Sequence, residues 1–152
     1  MNWDGLQREL GRYWDRPDPQ RALEICQGNE FLGIGGRRIV LRAGEEQVVK
    51  LAWRESGVLD NEIEWRLCEA AGDDLAELLC PTISLSPEGV SHQALCLPIS
   101  YEALGPDGLA TMRRLATWGI SDVAVNLGIF EQRLVCYDYC QIRGDLYQEL
   151  FS

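Results

Sequence analysis

The chain has 152 residues, 46% of them hydrophobic and 25% charged, with a formal net charge of −10. That composition suits one compact domain with a substantial core and excludes a disordered chain. No run reaches the roughly 18 apolar residues of a membrane helix, and a strongly acidic balance opposes direct contact with a nucleic-acid backbone, so a cytoplasmic protein without membrane or nucleic-acid contacts is expected.

In chain order, Asp4 offers a helix cap followed by Leu6, Leu10, Tyr13 and Trp14 at helical spacing, and Pro17-Asp18-Pro19 stops that helix. A second short helix is expected from Asp18-Pro19 to about Gln27. From Glu30 the pattern changes to short apolar runs: Phe31-Leu32, Ile39-Val40-Leu41 and Val48 to Ala52, three strands of a meander. Asp60 can cap a helix whose Ile63, Leu67, Ala70 and Ala71 share a face and which Gly72 ends. Strands follow near Thr82–Leu85 and Gln93–Ile99, with His92 read as a surface residue at a strand edge. A helix opening at Gly105-Pro106-Asp107 should turn Leu109, Met112, Leu115 and Ala116 inward. A hairpin of Gly128–Phe130 and Leu134–Tyr137, turning at Glu131-Gln132, and a helix around Leu146, Leu150 and Phe151 complete the chain.

Two compositional features stand out. Glu55 to Glu77 holds eight acidic residues and one basic one, which reads as a solvated helix face or as a docking face for a basic partner. Of the fourteen basic residues, thirteen are arginine and only Lys50 is lysine. Six cysteines without a CxxC pair read as reduced, mostly buried thiols.

The chemistry concentrates in Gly33-Ile34-Gly35-Gly36-Arg37-Arg38-Ile39-Val40, a glycine cluster between two expected strands. Glycines let backbone N–H groups approach phosphates without a Cβ in the way, although ordinary turns use the same residues. Ten residues beyond Val40 the next strand delivers Lys50 in Val48-Val49-Lys50, and helical spacing selects Glu64 rather than Glu62 for the buried side of the following helix.

In these residues the chain resembles the protein-kinase family, with its glycine loop, its phosphate-binding lysine and the helix glutamate that pairs with that lysine. The resemblance implies that Gly33, Gly35, Gly36, Val40, Val48, Lys50 and Glu64 bind nucleotide, with Arg38 standing where a third glycine is usual. The string from Glu55 to Glu64 also looks like a helix start seen in small kinase-like proteins of phages and mobile elements. In the second half, Asn126 and Asp138 match the two residues that hold magnesium, with Tyr137-Asp138-Tyr139-Cys140 standing for the D-F-G region. The catalytic base departs from the pattern: Asp122 lies four residues before Asn126 and Ser121 lies five before it, so either the loop is one residue short or serine replaces the base. Only fourteen residues follow Asp138, too few for the rest of a kinase's second lobe.

The resemblance thus implies an α+β, minimal protein-kinase-like fold: a helical extension over 1–29, an N-lobe over 30–100 with a five-stranded antiparallel sheet and one helix, and a reduced C-lobe over 101–152. It implies a kinase-like protein of weak or absent catalysis that binds a host protein partner, with ATP and magnesium as its cofactors. An active miniature phosphotransferase is one alternative. A nucleotide-independent acidic inhibitor that docks on a basic protein surface is another.

Overall fold

The computed structural model describes residues 1–121 and 126–152. The fold is α+β, with a five-stranded antiparallel sheet, a three-stranded sheet and six α-helices among the described residues. The chain divides into two compact units: Met1–Trp65 with Thr82–Ala94, and Arg66–Pro81 with Leu95–Ser152.

In the first unit, α1 (Trp3–Gly11) is capped by the Asn2 side chain, which accepts from Gly5 N, and not by Asp4 as expected; Tyr13 and Trp14 lie in the turns beyond it. Helix α2 (Pro19–Ile25) starts with Asp18 as its cap. Strands β1 (Phe31–Ile34), β2 (Arg38–Arg42) and β3 (Gln47–Ala52) form the meander. Helix α3 (Ser56–Ala70) begins four residues ahead of Asp60, so Asp60 lies inside the helix. Its carboxylate, 9% exposed, accepts from Arg37 Nε at 2.7 Å.

An early start to α3 requires close approach to the sheet, and Gly57 permits it. A Cβ there would meet the Arg37 carbonyl oxygen at 2.5 Å and Ala52 Cβ at 2.9 Å. Strands β4 (Thr82–Leu85) and β5 (Ser91–Ala94) complete a sheet of order β1-β2-β3-β5-β4. His92, expected at the surface near the start of a strand, is near the start of β5 but half-buried, because β5 is an inner strand that pairs it with Val49 on one side and Ser84 on the other. The outer face of the sheet buries Ile39, Leu41, Val49 and Leu51 against Leu10, Ala22 and Cys26, so both N-terminal helices help to build this core. Gln7 fixes α1 to the end of β3: its amide donates to Ala52 O at 2.9 Å and accepts from Ala52 N at 2.8 Å.

The second unit has its own core of Leu67, Leu75, Leu78, Leu79, Leu104, Leu115, Ile120, Leu127, Cys136 and Tyr139. After Gly72 comes a one-turn helix, α4 (Asp73–Ala76). The strand expected over Gln93–Ile99 is split, because β6 (Leu97–Pro98) leaves the first sheet and pairs with β7 (Leu127–Phe130). Strand β8 (Arg133–Cys136) closes the hairpin, and Glu131 and Gln132 take left-handed φ of 49° and 66° in its turn. Helix α5 (Gly105–Thr117) buries Gly108, Thr111 and Leu115, not Leu109 and Ala116, which are exposed. Its buried stripe is rotated from the expected one: the core residue Leu104 lies over Gly108, where a Cβ would meet Leu104 Cβ at 2.5 Å, and Met112 packs beside Leu115. Helix α6 (Gly144–Phe151) ends the chain. Among the described residues, no helix is long and apolar enough to cross a membrane.

Candidate functional site

Strand register decides which side chains share the inner face of the first sheet. Val40 pairs with Lys50, Arg38 with Ala52 and Arg42 with Val48. Since successive strand residues alternate faces, Arg38, Val40, Val48 and Lys50 lie together, opposite Ile39, Leu41, Val49 and Leu51. On the far side of β3, Ser91 pairs with Lys50 and Gln93 with Val48, which extends the same face.

Helix α3 brings Asn61 and Glu64 to this face. Lys50 Nζ donates to Glu64 Oε1 at 2.9 Å, with the lysine side chain 4% exposed and the glutamate 0%. Glu64 also receives a fork from Arg38, NH1 to Oε1 at 2.9 Å and NH2 to Oε2 at 3.1 Å. Asn61 joins the cluster as acceptor from Arg38 NH1 at 3.0 Å, while its amide donates to the carbonyls of Lys50 and Gly89 at 2.9 and 2.8 Å. Taking a carboxylate out of water is costly, and two cations with charge-assisted hydrogen bonds offset that cost. The cluster fixes the lysine's orientation and locks helix to sheet.

Above it, the glycine turn is tied down from within. Gly35 N donates to Arg38 O at 2.9 Å, and Trp53 Nε1 donates to Gly35 O at 3.0 Å. None of Gly33, Gly35 and Gly36 has a left-handed φ, and a Cβ at any of them would meet nothing within 4 Å. The backbone path does not demand glycine at these positions, and the absent side chains leave open space beside the turn.

In the second unit, the Asn126 carbonyl accepts from Tyr137 N at 2.9 Å. The Asp138 carboxylate accepts from the Cys140 thiol at 3.3 Å, and its carbonyl from the Cys136 thiol at 3.2 Å. Burial, with nearby Cys96, Asp138 and Cys136, pushes the Tyr137 phenol up. Ser121 donates its hydroxyl to Gln141 O at 3.2 Å. Asp122 lies outside the described residues. The six cysteines are free thiols, five of them buried.

The acidic stretch is not one solvated face. Asp60 and Glu64 are buried against arginine and lysine, while Asp73, Asp74 and Glu77 are exposed. The charge excess that the sequence shows between 55 and 77 is therefore partly internal.

No family model, curated protein or solved structure matches the chain. The site rests on its own geometry.

Arg38 and Asn61 are the residues that sequence reasoning passed over. Arg38 looks like a substituted loop glycine, yet it opens β2 two residues before Val40, and two-residue periodicity already places it on the lysine's face. Asn61 lies three residues before Glu64, hence on the same side of α3.

Proposed function

We propose that the chain is a small kinase-like protein that grips a nucleoside triphosphate, transfers phosphate weakly or not at all, and acts by binding a protein partner. The observation that carries this reading is the Lys50–Glu64 pair, 2.9 Å apart, on a strand next to the glycine hairpin. The order of strand, glycine turn, strand, lysine strand and glutamate helix is that of the protein kinases, in which the lysine binds phosphates and the glutamate holds it in place. The five-stranded antiparallel sheet supports the same likeness.

The residues present fit a polyphosphate in two respects. Lys50 is held in one orientation by Glu64, so little rotamer entropy remains to be lost on binding. The space beside Gly33, Gly35 and Gly36 is open to an approaching phosphate. In this reading Val40 and Val48 offer apolar contact to the base, Lys50 and the glycine turn hold the phosphates, and Glu64 positions Lys50. The resemblance assigns magnesium to Asn126 and Asp138 of the second unit. Weak transfer follows from either reading of the base position: Ser121 has a hydroxyl, a poor base at neutral pH, engaged with Gln141 O, and Asp122 belongs to a loop one residue short, which would misplace its carboxylate. A protein that holds nucleotide without passing on its phosphate acts through what it touches, hence the partner.

The test is thermal shift with millimolar ATP or GTP and magnesium. A ligand at about a hundred times its dissociation constant adds about 2.7 kcal/mol of stability. The expected result is a shift in the natural protein that is lost in Lys50→Met and in Gly33→Val. No shift with either nucleotide overturns the reading, and transfer of labelled γ-phosphate to an acceptor would replace it with an active phosphotransferase.

A further inference from the structure

We propose that the second unit carries a groove for a short basic segment of a partner protein, which seats one or two aliphatic side chains on an apolar floor. The proposal rests on the partner binding put forward above, owes nothing to the nucleotide, and adds a place and a chemistry.

The groove runs between α5 and the β7–β8 hairpin and has a volume of about 680 Å³. Strand register builds its floor. Leu97 pairs with Ile129 and Ile129 with Leu134, so these side chains form one row across β6, β7 and β8 on a single face of the sheet. Two residues along that face, Leu127 and Cys136 enter the core. At the row itself the face comes out of the core: Ile129 and Leu134 are half-buried and Leu97 is 69% exposed. Single apolar residues on a surface are ordinary, whereas a contiguous row marks a place of contact. Ile99 and Leu104 continue the floor toward α5. Gln132, on the hairpin wall, belongs to a two-residue turn that a tight ladder holds in place.

The shape selects an extended peptide over a small molecule. Glu77, Ala103, Asp107, Ala110, Arg114 and Gln132 line the groove and are exposed, while Leu78, Leu104 and Thr111 are its buried lining. A site for a small ligand covers most of its guest. A groove this open covers the side chains that point down into it and leaves the guest's backbone in water.

Charge selects the sign of the guest. Arg114 is already paired with Glu77. The Arg133 guanidinium lies over the Phe130 ring, a pair that alternation turns to the other face of the hairpin. Asp107 remains on the rim, with Asp73 and Asp74 exposed in the turn before Glu77 and Glu131 exposed beside Gln132. Against these carboxylates stands Arg113, exposed on α5. Such a border attracts arginine and lysine and repels an acidic segment.

The experiment is a display selection of random peptides about ten residues long, roughly 33 Å when extended, on the full chain without nucleotide. Enriched sequences are resynthesised with a fluorophore and titrated by anisotropy against the natural protein, Ile129→Thr and Asp107→Arg. The expected sequences join arginine or lysine to leucine, isoleucine, valine or methionine. Their affinity should fall roughly tenfold in each variant, and should fall again as salt rises from about 50 to about 500 mM. Should Ile129→Thr lower the melting temperature, Leu97→Ser takes its place at an exposed position of the same row. Enriched peptides without basic residues, or binding that neither substitution weakens, overturn the groove, and the partner reading then stands without it. No enrichment over the bare support also overturns it and leaves the thermal-shift result for nucleotide as it is. Self-association seen by sedimentation and abolished by Asp107→Arg would give the groove to a second copy of the chain, again overturning the proposal.

Discussion

The Arg38 guanidinium lies against both oxygens of the Glu64 carboxylate, at 2.9 and 3.1 Å. Lys50 shares one of those oxygens, so two cations depend on one anion that is wholly out of water. Glu64→Leu would leave Arg38 and Lys50 facing an apolar group. The expected loss, read by urea denaturation, is about 3–5 kcal/mol, the range for stripping one partner from a buried ion pair. A residue on a solvated acidic helix would lose under about 0.5 kcal/mol, and that result would contradict the buried cluster.

Two glycines should respond oppositely to an added side chain. At Gly57 a Cβ meets the Arg37 carbonyl oxygen at 2.5 Å, so Gly57→Ala has to push α3 off the sheet. Overpacking of this kind costs about 1–3 kcal/mol, and the melting temperature should fall. Gly33 lies in β1 with open space around its Cβ position, so Gly33→Val should leave the melting temperature unchanged or raise it. Similar destabilisation by both would argue against the close approach of helix and sheet at Gly57.

His92 provides a pH dependence whose sign is fixed. Burial lowers its pKa below the ordinary 6.5, and Asp4 opposes that shift only in part. The unfolded chain then binds the proton more readily than the folded one. Stability from this residue is therefore complete above about pH 6.5 and declines as pH falls toward the folded value. His92→Gln should flatten that part of a stability–pH curve measured by denaturant titration. An unchanged slope would assign the acid sensitivity to the carboxylates.

Thiol chemistry should separate Cys26 from Cys68. Burial raises the Cys26 pKa to about 11, which leaves almost no thiolate at neutral pH. Cys68 is half-buried and sits 2.9 Å from the Tyr139 hydroxyl. In a timed alkylation followed by mass spectrometry, Cys68 should be modified before Cys26, and Cys26 only as the chain unfolds. Early labelling of Cys26 would mean that the first core opens readily.

Much of the strand pattern was legible because its apolar runs are short and bounded by turn residues. Phe31, Ile39 and Val48 announce β1, β2 and β3, and Glu131-Gln132 marks the last turn. Lys50 and Glu64 could be chosen in advance because alternation and helical spacing each select one residue. What escaped reading depended on tertiary contact. Asp60 has the chemistry of a cap but pairs with Arg37, and the start of α3 was hidden because Gly57, which allows it, usually signals a turn. The departure of β6 from the first sheet has no local signal, since Gln93 to Ile99 is one polar-to-apolar run whose two ends join different sheets. Arg38 is obscured by its place in a glycine motif, where loop and strand readings overlap, although it opens β2.

The paired amide contact between Gln7 and Ala52 makes the first eleven residues a working part of the sheet. Trimming the chain back to Phe31 would uncover Ile39, Leu41 and Leu51 to water and leave both backbone groups of Ala52 to find other partners. Those groups sit two residues from the cluster lysine, so a shortened version would loosen the very strand that presents Lys50. Deletion studies that seek a minimal form of the first unit should therefore cut elsewhere and keep Met1 to Gln27 in place.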